Sequence, residues 1–461
     1  MKKYDLLKIL GITFAIVVLL SWIIPAGTFL GGGYIPAGST FPIGLFDLVQ
    51  IPAITLARFI EYGLLMLAIG GLYGVLNKTG VYSNLVGNIA KKCKGKEKCC
   101  LIWTIIILAL FASLTGLMSL LFVLVPFVVA VLMLLGYNKI TAFAATVGAL
   151  LVGQIGAIYG WSTNGFLNFF FDLGIHQNIV AKIILFVVIT SLLVIIVVKK
   201  AVLSKPKKEE IPLYEENNKK KSVVPLVVIS IFTFVLLILG LYNWFHMFNI
   251  EIFTTLHTNV TEFMIGSYPI FGNILGNFTE LGWFNTYDLI TVLVLASILI
   301  GWIYSVKVEE MIDGFISGLK TMIPVAFYAM MASVIFYVLI GTQNPHFVNN
   351  IMGTILGTEF NFPAVIVGSG IASFFFNDFG SLLGTYSSVF SFGGESVTIT
   401  ALIVQSMNGL VMLIAPVSIF LLAGLRYMEI PFKEWIKYIW KFTLLVLAAI
   451  ILISFVSVLI I

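Results

Sequence analysis

Long apolar runs follow one another along the chain, and short polar segments interrupt two of them. GWSTNGF (residues 160–166) interrupts the first, and QSMNGL (residues 405–410), followed by APVS (residues 415–418), interrupts the second. A hairpin-like break precedes each one, SLTGLMS at 113–119 and FFFNDFGS at 374–381. Unwound backbone at membrane depth is tolerated only where protein buries it or a wet cavity adjoins it. Two such pairs in corresponding halves predict a secondary transporter with a site at the membrane midplane.

The composition supports a membrane setting for this pattern. The chain has 461 residues, of which 60% are hydrophobic and 10% are charged, whereas a soluble domain carries about 25% charged residues. So much apolar surface exceeds what a water-soluble core can cover, and we expect lipid to be the solvent. The net charge of +5 comes from lysines concentrated in a few loops, so it does not indicate nucleic acid as a partner.

Lysine-rich loops set the expected topology, because cytoplasmic loops are enriched in Lys and Arg. Residues 1–198 are predicted to form a first repeat that starts in the cytoplasm. It contains apolar spans, a re-entrant hairpin over 100–135 and a broken span over 140–173. The segment 199–222 is lysine-rich and polar, and we expect it to be a cytoplasmic linker between two halves.

The second half repeats this order of elements in the opposite orientation. Residues 223–461 are predicted to hold a hairpin over 362–394 and a broken span over 397–424, with further spans on either side. The C-terminus is then expected outside the cell. The pattern therefore indicates an all-α polytopic membrane protein with an inverted repeat, two re-entrant hairpins and two discontinuous transmembrane helices.

Several ordered motifs carry a family resemblance. SWIIPAGTF (21–29), GALLVGQIGAIYGWSTNGF (148–166) and GLRYMEIPFKEW (424–435) are the main ones, together with Pro126 ahead of Gly136-Tyr137. They resemble stretches of the YfcC-like branch of the anaerobic C4-dicarboxylate carrier (DcuC) family, within the ion transporter superfamily. The resemblance covers nearly the whole chain. It implies an elevator-type carrier, a homodimer, with a scaffold domain and a mobile transport domain that holds both hairpins and both broken spans.

The chain departs from that family at the two hairpin tips. Family members often carry acidic residues at the first tip, where this chain has TGLMS at 115–119. The second tip is usually small and neutral in the family, and here it is NDFGS at 377–381. The family resemblance alone is therefore not used to assign a substrate to this chain.

The helix breaks are the expected binding sites. A broken helix exposes unpaired N–H groups at one half-helix start and unpaired C=O groups at the other half's end. These ends attract carboxylates and Na⁺ respectively. Small and hydroxyl side chains in spans have an alternative role, which is to allow close helix packing in lipid. The predicted substrate-binding residues are Ser113, Thr115, Ser119, Ser162, Thr163, Asn164, Asn377, Asp378, Ser381, Asn408 and Ser418.

Asp378 is the one acidic residue among these candidates. An acidic group inside a span costs about 2.5–3.5 kcal/mol and usually marks a substrate or ion path. The alternative is a helix cap at a hairpin tip that reaches water. No Lys or Arg occurs between Lys139 and Lys182, or between Lys320 and Arg426. We therefore expect a site without a fixed cation, which favours a substrate that bears its own positive charge.

These observations lead to two readings of function. The first is a multi-pass plasma-membrane antiporter of small amino acids, specifically cationic amino acid exchange such as arginine for ornithine. Ser162, Thr163 and Asn164 would hold the carboxylate, and Asp378 the cationic end. The alternative is Na⁺- or H⁺-coupled C4-dicarboxylate transport. No catalytic, cofactor-binding or metal-binding motif stands out, so we expect no enzyme, no cofactor beyond a coupling Na⁺ or H⁺, and no metal site.

Overall fold

A computed structural model of the chain describes residues 5–30, 33–36, 42–203, 211–217, 221–342, 347–357, 360–389 and 395–460. Over these residues the chain is an all-α polytopic membrane protein. Among them, eight helical segments are long and apolar enough to cross a bilayer: Asp5–Ile23, Ile60–Thr79, Glu97–Thr115, Ile179–Lys200, Val224–Leu241, Thr286–Ile303, Val308–Gly341 and Phe432–Leu459.

The first part of the chain runs through eleven helices and one small hairpin of strands. The helices are α1 Asp5–Ile23, α2 Leu45–Arg58, α3 Ile60–Thr79, α4 Val81–Cys93, α5 Glu97–Thr115, α6 Met118–Val123, α7 Val125–Leu134, α8 Lys139–Phe143, α9 Ala149–Ile155, α10 Phe166–Phe171 and α11 Ile179–Lys200. Strands β1 Gly27–Leu30 and β2 Gly33–Pro36 pair antiparallel between α1 and α2. Ala144–Gly148 and Trp161–Gly165 form π-helical turns.

The remaining described residues form thirteen helices and a second short strand pair. The helices are α12 Val224–Leu241, α13 Trp244–Phe248, α14 Ile252–Thr261, α15 Ile270–Leu275, α16 Thr286–Ile303, α17 Val308–Met331, α18 Val334–Tyr337, α19 Phe347–Leu356, α20 Phe362–Phe375, α21 Phe379–Val389, α22 Glu395–Met412, α23 Ile419–Tyr427 and α24 Phe432–Ile460. Strands β3 Met264–Ile265 and β4 Tyr268–Pro269 pair antiparallel, and Val338–Thr342 is π-helical.

The chain folds into two compact units. One unit contains Met1–Met66, Gly87–Pro212 and Met322–Ile461, and the other contains Leu67–Val86 and Leu213–Thr321. Both predicted hairpins and both predicted broken spans belong to the first unit. The division into units does not test the expected repeats, so the boundaries 1–198, 199–222 and 223–461 and their inverted relation stay predictions.

The second unit contains the pair of helices α12 and α16. The Tyr304 hydroxyl, just after α16, accepts the Leu226 N–H at 2.9 Å and donates to the Ser222 carbonyl at 2.8 Å. Asn77 of α3 donates from its amide nitrogen to the Leu213 carbonyl at 3.2 Å. The backbone at Leu213 and at Ser222, near the point where the chain enters this unit, is thus hydrogen-bonded to the side chains of Asn77 and Tyr304.

The stretch predicted as the first hairpin does reverse direction. Helix α5 ends at Gly116, whose φ of +70° is a left-handed conformation that glycine adopts without strain. After α6 and α7 the chain returns to the beginning of α5, where burial and the nearby Glu97 and Cys100 raise the pKa of Tyr137 to about 12. Whether this hairpin enters and leaves on one side of the membrane stays a prediction.

The second predicted hairpin consists of α20 and α21. The Tyr386 hydroxyl on α21 donates a hydrogen bond to the Ser369 hydroxyl on α20 at 2.9 Å, which joins the two helices side by side. Residues 376–378 form the turn between them. Residues 390–394 of the predicted range 362–394 lie outside the described residues.

Each predicted broken span contains an unwound segment, and each of these segments overlaps only part of the polar stretch that was expected to interrupt the span. In the first span the unwound segment is 156–160, here called break 1, and Trp161–Gly165 already belongs to the next half-helix. Helix α9 ends just before Gly156, and α11 packs so closely there that a Cβ at this position would lie 2.8 Å from the Phe186 Cα.

In the second span the unwound segment is 413–418, here called break 2. QSMNGL, one part of the predicted interruption, is helical and belongs to α22, so the expectation of a break near Asn408 is wrong. APVS (415–418), the other part, lies within break 2 as expected. Ser406 Oγ donates to the Leu402 carbonyl of its own helix at 2.7 Å, which satisfies a polar group without breaking the helix. Pro416, which lacks a backbone N–H, lies inside the true break.

Candidate substrate site

Break 1 is held by one side chain of the first hairpin. Ser113 of α5 is fully buried, and its Oγ donates a hydrogen bond to the Gly156 carbonyl at 2.6 Å. The same Oγ accepts the Ile158 N–H at 3.1 Å. The Ser113 carbonyl accepts the N–H groups of Ile158 and Tyr159 at 2.9 and 3.2 Å. The unwound backbone thus finds on α5 the partners that its own helix no longer supplies.

The tip of the first hairpin contacts the half-helix that follows break 1. The Gly116 carbonyl accepts a hydrogen bond from Ser162 Oγ at 3.0 Å. A Cβ at Gly116 would lie 2.7 Å from that oxygen and 3.0 Å from the Gly160 Cα. The tip therefore needs a glycine for space as well as for its left-handed φ, and Ser162 joins hairpin and break.

Thr115 and Ser119, also predicted as binding residues, lie at the same tip. The Thr115 hydroxyl donates to the Phe111 carbonyl of its own helix at 2.7 Å and accepts the Leu117 N–H at 3.3 Å. Ser119 is half-buried in α6. Thr115 therefore supplies the local hydrogen bonds that a hairpin tip requires whatever it binds.

Asn164 connects break 1 to a lysine of the next span. Asn164 is 2% exposed, and its Nδ2 donates to the carbonyls of Ile158 and Gly160 at 3.1 and 3.5 Å. Its Oδ1 accepts a hydrogen bond from Lys182 Nζ at 2.5 Å. Lys182 lies on α11 and is also 2% exposed. The expectation that the site lacks a fixed cation is wrong, because α11 packs back against the break and brings its lysine there.

The surroundings of Lys182 are apolar. Ile158 of break 1 and Phe186 of α11 belong to one buried apolar cluster, and Ile179 packs against it. Ile179, Lys182 and Phe186 are spaced three and four residues apart, so they share one face of α11. A buried ammonium group is costly unless it is paired and hydrogen-bonded. Break 1 thus holds an amine whose protonated form suits a negatively charged ligand.

The tip of the second hairpin uses its polar side chains in local bonds. The Asp378 carboxylate accepts the Ser381 N–H at 2.7 Å, so it caps the N-terminus of α21. Asn377 Nδ2 donates to Ser333 Oγ, which is buried between α17 and α18, at 2.8 Å. Asp378 lies close enough to Glu61 of α3 for their charges to interact unfavourably. The helix-cap role, which the sequence left as an alternative, describes this carboxylate.

The second hairpin also packs against the first broken span. A Cβ at Gly380 would lie 2.9 Å from the Phe166 ring, and a Cβ at Gly384 would lie 3.4 Å from the Phe170 ring. Both rings belong to α10, the half-helix after break 1. The tip that carries Asp378 is therefore in contact with the same broken helix as the tip of the first hairpin.

Helix α22 meets break 1 from another direction. Gln405, 2% exposed, donates from Nε2 to the Ala157 carbonyl at 2.8 Å. A Cβ at Gly409 would lie 2.7 Å from the Ile155 Cα, so the two helices nearly touch. Gln405 Oε1 and Asn408 Nδ2 are buried and find no hydrogen-bond partner within the described part of the chain. Such atoms are unusual in proteins and indicate room for a ligand or water.

Break 2 is satisfied mainly by one indole. Trp435 Nε1 donates to the Leu413 carbonyl at 2.9 Å. Ser418 begins α23 and is 2% exposed, but its hydroxyl makes no capping bond. Phe420 of α23 packs against Phe122 of the first hairpin with ring centroids 5.6 Å apart. The second broken helix therefore reaches the same group of elements through apolar contacts.

The candidates differ in how closely they meet. Ser113, Ser162 and Asn164 are hydrogen-bonded at break 1, and Thr163 is buried beside them. Asn408 lies on a helix that contacts the break, and the second tip contacts α10. Sequence reasoning missed Lys182 as a site residue. The signal was available, because a charged residue within an apolar span by default marks a functional site.

The chain was compared with protein families, curated proteins and solved structures. The family described as C4-dicarboxylate anaerobic carrier matches residues 5–461, which confirms the resemblance drawn from the motifs. No curated protein matches the chain. Among solved structures, the chain is similar to the YdaH transporter of Alcanivorax borkumensis, with 15% sequence identity, a TM-score of 0.41 and 98% of each chain covered.

Proposed function

Because the chain belongs to the C4-dicarboxylate anaerobic carrier family, we propose that it is a secondary transporter of C4-dicarboxylates such as succinate. The observation that carries this proposal is the ammonium group of Lys182, buried at break 1 and held by Asn164. A lysine and a carboxylate form strong charge-assisted hydrogen bonds in such surroundings. A dicarboxylate would therefore compensate the positive charge that Lys182 carries at break 1 when its amine is protonated.

Cationic amino acid exchange is not supported, and the family match favours the dicarboxylate alternative. That reading assumed a site without a fixed cation and a free carboxylate at Asp378. Lys182 contradicts the first assumption, and the capping bond from Ser381 contradicts the second. A positively charged substrate placed at break 1 would meet a like charge whenever Lys182 is protonated, and it would gain no charge pairing when Lys182 is neutral.

The residues around Lys182 have distinct roles in this proposal. Ser162 and Thr163 offer hydroxyl groups, which donate and accept hydrogen bonds, and Gln405 and Asn408 offer amide atoms that lack partners in the described chain. Ser113 keeps the unwound backbone in place. Asn377, Asp378 and Ser381 form the second hairpin tip, which would cover the substrate from the side of α10.

The transport cycle that we propose is of the elevator type, in the plasma membrane, with the N-terminus in the cytoplasm and the C-terminus outside. Its support is that both hairpins and both broken helices fall into one compact unit. That unit would carry the substrate across as a body. Homodimerisation and coupling to Na⁺ or H⁺ are further parts of the proposal and follow from the family resemblance.

The experiment is succinate binding and uptake by the purified protein in proteoliposomes. Replacing Lys182 with Met keeps length and removes charge, and we expect the Kd for succinate to rise about a hundredfold, since truncating a buried charge pair costs roughly 2–5 kcal/mol. Lys199→Met is the matched control, because Lys199 lies at the far end of the same helix. Arginine–ornithine exchange without succinate transport would reject the proposal.

Asp378→Asn separates the two readings independently. Asparagine caps helices as well as aspartate does, so α21 should remain intact. A dicarboxylate carrier is expected to keep or improve its succinate affinity, because a negative charge near the site is removed. A carrier of cationic amino acids would instead lose affinity for the charged side chain. Competition of labelled succinate with unlabelled arginine in this variant measures the difference.

A further inference from the structure

Two carbonyl groups of break 1 are engaged by donors from other helices. The Gly156 carbonyl accepts a hydrogen bond from Ser113 Oγ at 2.6 Å, and the Ala157 carbonyl accepts one from Gln405 Nε2 at 2.8 Å. Carbonyls at the end of an unwound half-helix are the groups that coordinate Na⁺ in transporters with broken helices. In break 1 these groups already have protein partners.

Two further carbonyls of the break are engaged by Asn164. Its Nδ2 donates to the Ile158 and Gly160 carbonyls, and its Oδ1 faces the other way and accepts from Lys182 Nζ. The Asn164 amide therefore forms a hydrogen-bonded chain from these two carbonyls to the lysine. The amine of Lys182 thus reaches break 1 through Asn164 and can supply a positive charge beside these carbonyls.

Lys182 is buried and has no ion-pair partner among the described residues, and its ammonium group is hydrogen-bonded to the Asn164 amide oxygen. Helix α9, which packs on α11, has no titratable residue. Lys200, where α24 contacts the other end of α11 through the Tyr438 carbonyl, is 18 residues from Lys182, or about 27 Å along a helix.

Other titratable groups lie on the elements around α11. Those at the start of α5 lie more than a dozen residues from Ser113, which marks the level of the break. Those before α11 include His176, whose Nδ1 is 3.2 Å from the Tyr159 hydroxyl. They are Glu97, Lys98, Cys99 and Cys100 on α5, Tyr159 in the break, Asp172 and His176 before α11, Glu395 at the start of α22, and Lys433, Glu434, Lys437, Tyr438 and Lys441 on α24.

We propose that Lys182 carries the coupling proton of transport and replaces a coupling Na⁺ at break 1. In the empty carrier, apolar surroundings favour the neutral amine. An incoming carboxylate favours the ammonium form, so the amine takes up one proton from solvent as the substrate binds. After release, the ammonium returns that proton and the empty carrier crosses back with a neutral site. This inference rests on the proposed dicarboxylate function.

Proton uptake on binding is the direct test. Succinate is added to the detergent-solubilised full-length protein in weak buffer at alkaline pH, and a pH indicator reports protons bound. Wild type is expected to take up protons in proportion to bound succinate, and the apparent Kd is expected to rise about tenfold per pH unit. Lys182→Arg is expected to bind succinate without proton uptake, because a guanidinium group does not lose its proton.

Transport by the same variants gives a second readout. In Na⁺-free proteoliposomes, an inward proton gradient is expected to drive succinate accumulation by wild type and by the control Lys199→Arg. Lys182→Arg is expected to exchange internal for external succinate yet to lose net uptake, since its empty site cannot become neutral. Should the arginine variant fail to fold, proton uptake and Na⁺ independence of the wild type decide the matter.

Several results would overturn the inference. They are succinate binding by wild type without proton uptake, a requirement for Na⁺, or unchanged proton-driven net uptake by Lys182→Arg. Intact succinate exchange combined with any of these rejects the proton role of Lys182 and leaves the proposed function standing. The absence of succinate binding and exchange in the wild type rejects the proposed function itself and the inference with it.

Discussion

Break 1 and break 2 interrupt helices in similar sequence settings, yet different side chains form hydrogen bonds with their unwound backbone. At break 1 a serine hydroxyl satisfies the backbone and Asn164 holds a buried lysine. At break 2 the Trp435 indole satisfies one carbonyl, and the hydroxyl of Ser418 makes no capping bond. A polar segment in an apolar run indicates where a helix ends, but the chemistry of the break comes from side chains that other helices bring to it.

The two breaks are also expected to differ in function, because break 1 would bind substrate and break 2 would only stabilise the fold. Break 1 combines a buried lysine amine with buried amide atoms that lack partners in the described chain, whereas the indole at break 2 leaves the Leu413 carbonyl satisfied. We therefore expect changes at break 1 to alter both stability and succinate affinity. Changes at break 2 should alter stability alone, and the following variants test this expectation.

Asn164→Leu should have the largest effect. It removes the amide that joins Lys182 to the Ile158 carbonyl, and each buried group left without a partner costs about 1–3 kcal/mol. We expect a large drop in Tm and no measurable succinate binding by calorimetry. The matched control is Asn168→Leu, one turn later, whose amide bonds only locally to the Leu173 carbonyl at 3.2 Å. Equal losses in the two variants would contradict a special role for break 1.

Ser113→Ala should have the next largest effect. The substitution leaves the Gly156 carbonyl and the Ile158 N–H without the hydroxyl that bridges them. We expect the free energy of unfolding to fall by about 1–3 kcal/mol. Because break 1 would no longer be held in place, the Kd for succinate should also rise. A stability loss with unchanged affinity would mean that the geometry of break 1 does not matter for binding.

Trp435→Phe applies the same kind of change to break 2. It removes the indole N–H that bonds to the Leu413 carbonyl and keeps most of the apolar packing. We expect the free energy of unfolding to fall by about 1–3 kcal/mol, with no change in the Kd for succinate. A loss of affinity as large as that of Ser113→Ala would place both breaks in the binding site and remove the contrast.

Ser418→Ala should have the smallest effect. The hydroxyl makes no capping bond, so we expect unfolding free energy to change by no more than about 0.5 kcal/mol. Ser162→Ala at break 1 removes the bond to the Gly116 carbonyl and should cost more, about 1 kcal/mol. Parallel thermal unfolding curves compare the two, and a larger effect at Ser418 would reverse the order that the structure implies.

Much of the local structure is readable from the sequence. Gly116 and Pro416 end helices for reasons internal to their own segments, and the apolar runs predict the spans. QSMNGL misled the sequence reading, because Gly409 looks like a helix breaker and is instead a packing site against Ile155. A glycine can allow two helices to approach closely, or it can end a helix. The sequence does not distinguish these two roles, because the first depends on where the neighbouring helix lies.

The candidate site was predictable in part for the same reason. Ser113, Ser162 and Asn164 were expected at the breaks, and the structure joins them by hydrogen bonds. In the sequence, Lys182 marked only the end of an interval without Lys or Arg, and it was not counted as a site residue. Its role depends on α11 lying against break 1, a tertiary contact that no local pattern records. Asp378 shows the converse, since its charge drew attention and its carboxylate caps α21.

The central claim is that break 1, through Lys182, holds a substrate carboxylate. A cryo-electron microscopy structure of the protein with saturating succinate tests it most directly. We predict ligand density with a carboxylate oxygen within about 4 Å of Lys182 Nζ, the range of an ion pair. Density bounded by residues 413–418 instead, with Lys182 still bonded only to Asn164, would contradict the account.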